Sequence, residues 1–186
     1  MIDNLSKEEI GQIFPIEIET YNSEWKELYE KEKELILNIL TNKTVLLIEH
    51  IGSTSVPNLS SKPIIDILVV VSELTLELKK KLLLLLKSIG YENMSNAETD
   101  IKMSFGKGYS LTETKKQKFH LHIRLYNSYL WNDDIYFRNA LLQNISIKNE
   151  YEQLKISLSQ QYKYDREAYT EAKTEFIKKI IEIAKR

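Results

Sequence analysis

The chain has 186 residues, a formal net charge of −1 and no cysteine. The near-neutral charge gives no indication of a nucleic-acid clamp or a polybasic membrane anchor, and the lack of cysteine excludes disulfides, thiolate nucleophiles and zinc–thiolate sites. Because the N-terminus does not read as a signal peptide and no apolar run approaches about 18 residues, we expect a cytoplasmic protein with neither a membrane partner nor a nucleic-acid partner. The length predicts one domain over residues 1–186, with a sheet-containing core over about 15–128 and helices over about 131–186.

The predicted elements before residue 52 are two helices and two strands. Polar residues 1–14 predict a short or frayed helix, and the alternation over 14–21 predicts an edge strand. Residues 23–40 place apolar side chains at helical spacing, with Ser23 as the N-cap. Residues 45–51 then predict a strand that ends at a turn of small residues.

This turn and the strand after it indicate a site for an anion or a metal. The turn combines a permissive backbone with small hydroxyl donors, a composition suited to phosphate, in Gly52, Ser53, Thr54 and Ser55. Residues 64–71 are apolar on both faces and rich in β-branched side chains, as in a central strand covered on both sides. Asp66 lies inside that strand, where a carboxylate must be paired, hydrogen-bonded or bound to a metal. Lys62 adds a positive charge just before the strand.

A second sheet region follows a helix predicted over residues 73–88. A short strand starts at Tyr91, and another covers 101–109. Residues 110–118 predict a polar, basic loop that could close over an anionic ligand, although such loops are more often simply solvated.

Residues 119–125 alternate so regularly that polar side chains must share one face of a strand. His120, His122 and Arg124 lie on that face, because alternate residues of a strand point the same way. Two imidazoles two residues apart can share one cation, a spacing that metal sites use. The alternative is a half-exposed histidine pair on a hairpin.

The remaining chain predicts three helices. They cover about residues 132–143 with Asn132 as cap, about 146–162 with Ser146 as cap, and about 167–185.

The run HIGSTSVPNLSSKPIIDI, residues 50–67, resembles the signature of the GrpB family, which is assigned to the nucleotidyltransferase superfamily. The likeness extends loosely from about Tyr21 to the C-terminus. It implies an α/β (α+β) fold of nucleotidyltransferase type: a mixed β-sheet flanked by helices, with C-terminal helices. In that superfamily a Gly-Ser pair follows the first strand and two acids lie on the next strand. Gly52, Ser53 and Asp66 match this pattern, whereas Leu68 stands where the second acid is expected, which argues against a two-metal site.

The resemblance and the residue types together give the expected site. The expected metal ligands are Asp66, His120, His122 and Glu49. The residues expected to bind the nucleotide are Gly52, Ser53, Thr54, Ser55, Lys62, Arg124 and His50. The expected catalytic residues are Asp66 and His122. The implied cofactor is Mg²⁺ or Mn²⁺, with Zn²⁺ as a further candidate, and the implied substrate is a nucleoside triphosphate. A structural alternative for Asp66 is that it accepts hydrogen bonds from the turn.

Three functions are consistent with this site. The first is metal-dependent transfer of a nucleotidyl group to a small acceptor. The second is a non-catalytic module that binds a nucleotide or another phosphorylated metabolite. The third is a metal-dependent hydrolase that uses Asp66 with His120 and His122. The sequence itself supports only a cleft for an anion or a metal, and it does not indicate an oligomeric state.

Overall fold

The computed structural model describes residues 5–40, 44–94, 98–113 and 117–186. Its strands are β1 Val45–Ile51, β2 Ile64–Val71, β3 Tyr91–Asn93, β4 Lys102–Lys107 and β5 Lys118–Leu125. Its helices are α1 Lys7–Ile13, α2 Glu24–Ile39, α3 Leu76–Ser88, α4 Leu130–Gln143, α5 Ile145–Gln161, α6 Arg166–Glu171 and α7 Thr174–Ala184. None of the helices that it describes is both long enough and apolar enough to cross a bilayer.

The five strands form one mixed sheet in the order β1-β2-β5-β4-β3. β2 and β5 are parallel, and the other three neighbouring pairs are antiparallel. β2 therefore has a strand on each side, as its apolar sequence predicted. The predicted class, a mixed α/β sheet flanked by helices, is confirmed.

Helices cover both faces of β2, which explains why the strand is apolar on both faces. Ile65, Ile67 and Val69 pack in the main core with side chains of α2 and α3. On the opposite face, Leu68 and Val70 pack with side chains of α4. Asp66 lies on that second face, at the end of the strand where the apolar cover stops.

The loop between β1 and β2 is fixed against the C-terminal helices. Val56 and Leu59 are fully buried in a cluster with Leu141 of α4 and Tyr151 of α5. Burial of this size is worth about 2 kcal/mol for each large apolar side chain. The helices after the sheet therefore help to hold the turn at Gly52 in place.

The edge strand predicted over residues 14–21 is absent. Only an isolated bridge between Glu19 and Ser61 forms there. Pro15 has no N–H to donate to a ladder, and the amide of Ile16 donates instead to the carbonyl of Lys163. The alternating pattern reflects packing of Ile16 against the C-terminal helices rather than a strand.

Three helix starts differ from the prediction because other residues provide the first hydrogen bonds. α3 begins at Leu76 rather than at residue 73, since the side chain of Thr75 accepts from the amide of Leu78. α4 begins at Leu130 rather than at Asn132, since the carbonyl of Tyr129 accepts from Asp133. α5 is capped by Asn144, whose side chain accepts from the amides of Ser146 and Ile147.

The predicted last helix is divided in two. α6 ends at Glu171 and α7 starts at Thr174, and Lys173 lies in the turn between them. The predicted basic loop over 110–118 lies partly outside the described residues, and its last residue, Lys118, already belongs to β5.

Candidate functional site

The parallel pairing of β2 and β5 brings one carboxylate and two imidazoles together. Asp66 is in register with His120, and His122 follows on the same face of β5. Oδ1 of Asp66 lies 3.2 Å from Nε2 of His122 and 3.4 Å from Nδ1 of His120. Asp66 therefore contacts both of the histidines that the sequence predicted to lie on one face of a strand.

Gly52 allows the turn after β1 to pass directly over the carboxylate of Asp66. Its φ is +69°, a conformation that side chains disfavour, and a Cβ atom at this position would overlap Oδ2 of Asp66. Ile51, the residue before it, pairs with Asp66 across the strands. The glycine of the motif is therefore required by a close approach to the acid.

The charge of Asp66 is stabilised by its two neighbours. Burial alone would raise the pKa of this carboxyl, but hydrogen bonds and charge interactions with His120 and His122 outweigh burial and hold the pKa well below its usual range. Burial lowers the pKa of His120 against the opposing effect of Asp66. The carboxylate therefore remains ionised at any physiological pH, and His120 is predominantly neutral at neutral pH.

The donor set is chemically suited to one divalent cation. Candidate ligand atoms of Asp66, His120 and His122 all lie within 4.8 Å of one another. Ligand atoms at about 2.0–2.2 Å from a single ion are separated by ~3–4 Å, so a small adjustment would bring all three into range. Two imidazoles and one carboxylate suit Mn²⁺ or Zn²⁺ better than Mg²⁺, which prefers oxygen ligands.

Further side chains restrain both histidine rings. Nε2 of His120 lies 2.6 Å from the hydroxyl of Tyr109, which also accepts from Arg166 at 3.4 Å. Arg124 lies 3.5 Å from Nδ1 of His122 and pairs with Asp134 at 3.5 Å. Such outer contacts orient the rings of ligating histidines in metal sites.

Leu68 fills the position of the second acid with an apolar side chain. It is fully buried in a cluster with Ile51 and Val70, against which Trp131 and Ile135 pack. A carboxylate here would lose its hydration without gaining a polar partner. The structure thus offers a site for one cation rather than two at this end of β2.

The structure corrects the expectation for Glu49 and His50. Glu49 pairs with Leu68, beyond Asp66, and its carboxylate accepts from Arg138 at 2.7 Å, so it does not join the metal ligands. His50 points to the opposite face, where its ring stacks on Tyr29 at 4.6 Å. Burial lowers the pKa of His50 to about 4, so this ring is neutral at physiological pH, and it does not line the cleft that contains Asp66.

Three other predicted phosphate ligands also have structural roles. Thr54 is buried, donates to the carbonyl of Ile64 and accepts from His50, and Ser55 donates to the carbonyl of Gly52. These hydroxyls stabilise the turn and do not line the cleft. Arg124 likewise supports His122, because its guanidinium is occupied by Asp134 and by backbone carbonyls.

A large cleft opens beside the remaining predicted residues except His122, which does not line it. Its volume is about 1390 Å³, and five of the predicted residues line it, namely Gly52, Ser53, Lys62, Asp66 and His120. The opposite wall comes from the C-terminal helices, which contribute Tyr151, Lys155, Arg166, Tyr169 and Lys173. The carboxylate and one imidazole of the candidate metal centre therefore share a cleft with six basic side chains, and this surface includes four from the motif loop and the C-terminal helices, namely Lys62, Lys155, Arg166 and Lys173.

Three of these residues, Lys155, Arg166 and Lys173, were not predicted from the sequence. A signal existed for Lys155, which lies one turn after Tyr151 and interrupts the apolar stripe of α5. No such signal marks Arg166 or Lys173, because their position depends on how α6 and α7 turn back over the sheet. Lys62 was predicted, and its ammonium group lies 4.9 Å from the ring centre of Tyr169.

Comparisons with known proteins agree with the motif. The family model described as GrpB protein matches residues 15–183. A relative called glutamate-rich protein GrpB from Alkalihalophilus pseudofirmus is 36% identical over 87% of this chain and 91% of its own length. The protein YqkA of Bacillus subtilis is 33% identical over 92% of this chain, but the match spans only 48% of that protein.

A solved structure of the same kind supports the fold. The crystal structure of conserved protein GrpB from Enterococcus faecalis has 36% sequence identity and a TM-score of 0.78, covering 90% of this chain and 96% of that one. The match of the family model over most of the chain, the sequence identity and this structural likeness show that the chain belongs to the GrpB family.

Proposed function

We propose that the protein binds a nucleoside triphosphate and one divalent cation in this cleft and transfers a nucleotidyl group to a small acceptor. The observation that carries this proposal is the position of Asp66, His120 and His122 beside four basic side chains that have no acidic partner in the described residues. These four side chains, Lys62, Lys155, Arg166 and Lys173, are called the basic wall. A metal-bound phosphate chain requires a cation centre next to such a positively charged surface.

The basic wall would hold the phosphates, and the turn would orient them. The ammonium groups of Lys62 and Lys173 both lie over the ring of Tyr169, at 4.9 and 4.3 Å from its centre. Ser53 lines the cleft next to Gly52, so its hydroxyl and the adjacent backbone can donate to a phosphate oxygen. These contacts would position the α-phosphorus near Asp66.

In the proposed reaction, an acceptor hydroxyl or amine attacks the α-phosphorus and forms a new bond to it. The bond from that phosphorus to the bridging oxygen breaks, and pyrophosphate leaves with the electron pair, stabilised by the lysines. The acceptor's proton passes to the imidazole of His122. Asp66 acts as a fixed charge rather than as the base, because its pKa lies well below the usual range.

Asp66 and His120 would hold the cation throughout the reaction. His122 would be a third ligand of the cation only when no acceptor is bound. Such a cation neutralises charge on the transferred phosphoryl group. Because Leu68 is part of the apolar core, the protein would use one cation assisted by lysines instead of two cations.

The test is an assay with purified protein, each of the four common nucleoside triphosphates, Mn²⁺ or Mg²⁺, and a mixture of small hydroxyl and amine acceptors. We expect acceptor-dependent release of pyrophosphate, together with a product heavier than the acceptor by one nucleotidyl group. Asp66→Asn should abolish the activity, and His122→Gln should abolish turnover while the cation and the nucleotide still bind. Nucleotide binding without turnover under every condition would instead indicate a non-catalytic binding module.

The second candidate function is a metal-dependent phosphate-ester hydrolase. It is favoured by the presence of a single carboxylate with two imidazoles, a set that leaves coordination positions open for water. Release of phosphate or nucleoside monophosphate without any acceptor, lost in Asp66→Asn and His120→Gln, would support this function over transfer.

A further inference from the structure

The cleft carries more positive charge than the residues around it compensate. Lys62 precedes β2, Lys155 belongs to α5, Arg166 to α6, and Lys173 lies between α6 and α7, and all four line the same cleft. None of them forms an ion pair within the described part of the chain. Like charges collected in a partly buried cleft repel one another unless an anion binds there.

Local contacts hold each ammonium group in place without neutralising it. Lys155 is only 2% exposed, and its ammonium donates to the carbonyl of Ser60 and lies 5.0 Å from the ring centre of Tyr151. Lys62 and Lys173 both lie within 5 Å of the ring centre of the buried Tyr169. Aromatic faces attract cations but leave the charge available to a ligand.

Three of the nearby acids are engaged elsewhere. Asp66 is hydrogen-bonded to two histidines, and Glu152, beside Lys155, accepts from the amide of Ser60 at 2.7 Å. Glu167, at the rim, pairs with Lys7 at 2.6 Å. Glu92 and Glu171 also line the cleft, but in the described residues they form no ion pair with the four cations, whose charge is therefore available for a ligand.

Burial lowers the pKa of the three lysines among these cations, and repulsion between neighbouring cations adds to the effect in two of them. Burial, followed by the repulsion of neighbouring cations, lowers the pKa of Lys62 to about 7. Burial and the charge of Lys173 do the same for Lys155, whose pKa is about 7, and burial lowers the pKa of Lys173 to about 8. A bound anion would restore their full charge, so binding should take up protons at neutral pH.

We propose that Lys62, Lys155, Arg166 and Lys173 form an anchor for a chain of at least three linked phosphoryl groups. The anchor binds the chain without the cation and without recognising a nucleobase. Four cations from separate elements can contact successive phosphoryl groups, whereas a single phosphate is too small to reach them all. This inference rests on the proposed function, since the chain would be that of the nucleotide, but it involves residues separate from the cation ligands.

The experiment is calorimetric titration of the intact protein in EDTA with inorganic tripolyphosphate, pyrophosphate and phosphate. Affinity should rise at least tenfold from phosphate to tripolyphosphate, and ATP and CTP should bind equally well within about twofold. The heat should depend on the ionisation enthalpy of the buffer, which reports proton uptake. Equal affinity for all three inorganic anions, or binding only after Mn²⁺ is added, would overturn the proposal.

Substitutions of single lysines test which residues form the anchor. Lys173→Met should weaken tripolyphosphate binding at least tenfold, and Lys62→Met should do the same, because each removes one charge from the anchor. Lys179→Met is the matched control, since Lys179 is an exposed lysine of α7 outside the cleft. The Lys179→Met protein should bind tripolyphosphate as tightly as the wild type does. Lys155→Met should have the same effect, and if this buried substitution prevents folding, the other two variants still decide the outcome. Unchanged binding in both would refute the anchor.

The anchor and the proposed function can fail separately. Tripolyphosphate binding in EDTA that persists in Asp66→Asn supports the anchor even if no nucleotidyl transfer is found. Nucleotidyl transfer by a protein that shows no affinity for tripolyphosphate in EDTA would contradict the anchor while supporting the function.

Discussion

Gly52 and Asp66 meet so closely across the β1–β2 pair that there is no room for a side chain between them. The close contact means that the turn and the acid form one structural unit. A change in either residue should therefore affect both the stability of the turn and the chemistry of the site.

We expect Gly52→Ala to destabilise the protein by about 1–3 kcal/mol, because it adds a positive-φ strain and a clash with Oδ2 of Asp66. Gly90→Ala is the matched control: its φ is +91°, but its nearest neighbour is the flexible side chain of Lys107 at 3.7 Å. Urea denaturation measures both. If the two variants lose the same stability, the close contact with Asp66 contributes nothing beyond strain.

Removing Asp66 or His120 from the candidate metal centre should weaken cation binding. We expect Asp66→Asn and His120→Gln each to lower Mn²⁺ or Zn²⁺ affinity at least tenfold in calorimetric titrations. Glu49→Gln should leave the affinity unchanged within about twofold, since Arg138 holds that carboxylate away from the centre. Cation binding that is insensitive to Asp66→Asn but sensitive to Glu49→Gln would place the metal elsewhere.

Tyr109→Phe should weaken cation binding about tenfold with little change in the fold. The variant removes the hydroxyl that lies 2.6 Å from Nε2 of His120 but keeps the ring that stacks on that histidine. Circular dichroism and the thermal midpoint check the fold, and the same titration measures the cation. An affinity equal to that of the wild type would show that the hydroxyl does not position His120.

The stability of the protein should depend on pH through Lys62. In the folded chain its pKa is about 7, whereas the unfolded side chain has the usual value near 10.5. Below pH 7 both states are protonated, and between pH 7 and about 10 the unfolded state binds more protons, so stability rises with pH. This lysine, which faces Asp66, Lys155, Arg166 and Lys173, should add about 2 kcal/mol between pH 7 and 9.

Comparing the wild type with Lys62→Met isolates this effect. The variant should be more stable than the wild type at pH 7, and the difference should shrink as the pH rises to 9. Chemical denaturation at both pH values provides the measurement, with Lys179→Met as control. A difference that stays constant with pH would mean that Lys62 keeps an ordinary pKa.

Restoring the missing acid should damage the fold instead of creating a second metal site. We expect Leu68→Asp to cost about 4 kcal/mol, because the carboxylate would be buried among Ile51, Val70 and Trp131. Leu68→Ala is the control for the loss of packing alone, and it should cost less. A folded Leu68→Asp protein that binds two cations per chain would contradict this prediction.

The sequence predicted the parts of the site that depend on local pattern. Alternation along β5 correctly placed His120 and His122 on one face, and the apolar character of β2 made Asp66 conspicuous. Alternation alone could not show that His50 points away from Asp66. That depends on the antiparallel register, in which Ile51 and not His50 is paired with the acid.

The basic wall could not be predicted because it depends on tertiary packing. Lys173 reaches the cleft only because the last predicted helix is divided at that residue. The edge strand predicted over residues 14–21 failed for a related reason, since the C-terminal helices provide the partner for Ile16. Patterns of apolar residues predict which side of an element is buried but not what covers it.

A crystal structure with Mn²⁺ and a non-hydrolysable nucleoside triphosphate tests most directly whether the cation centre and the basic wall form one site. We predict anomalous density for Mn²⁺ at Asp66 and His120, with the phosphates against Lys62, Lys155 and Lys173. A cation bound away from Asp66, or phosphates that do not contact these lysines, would contradict the proposed function.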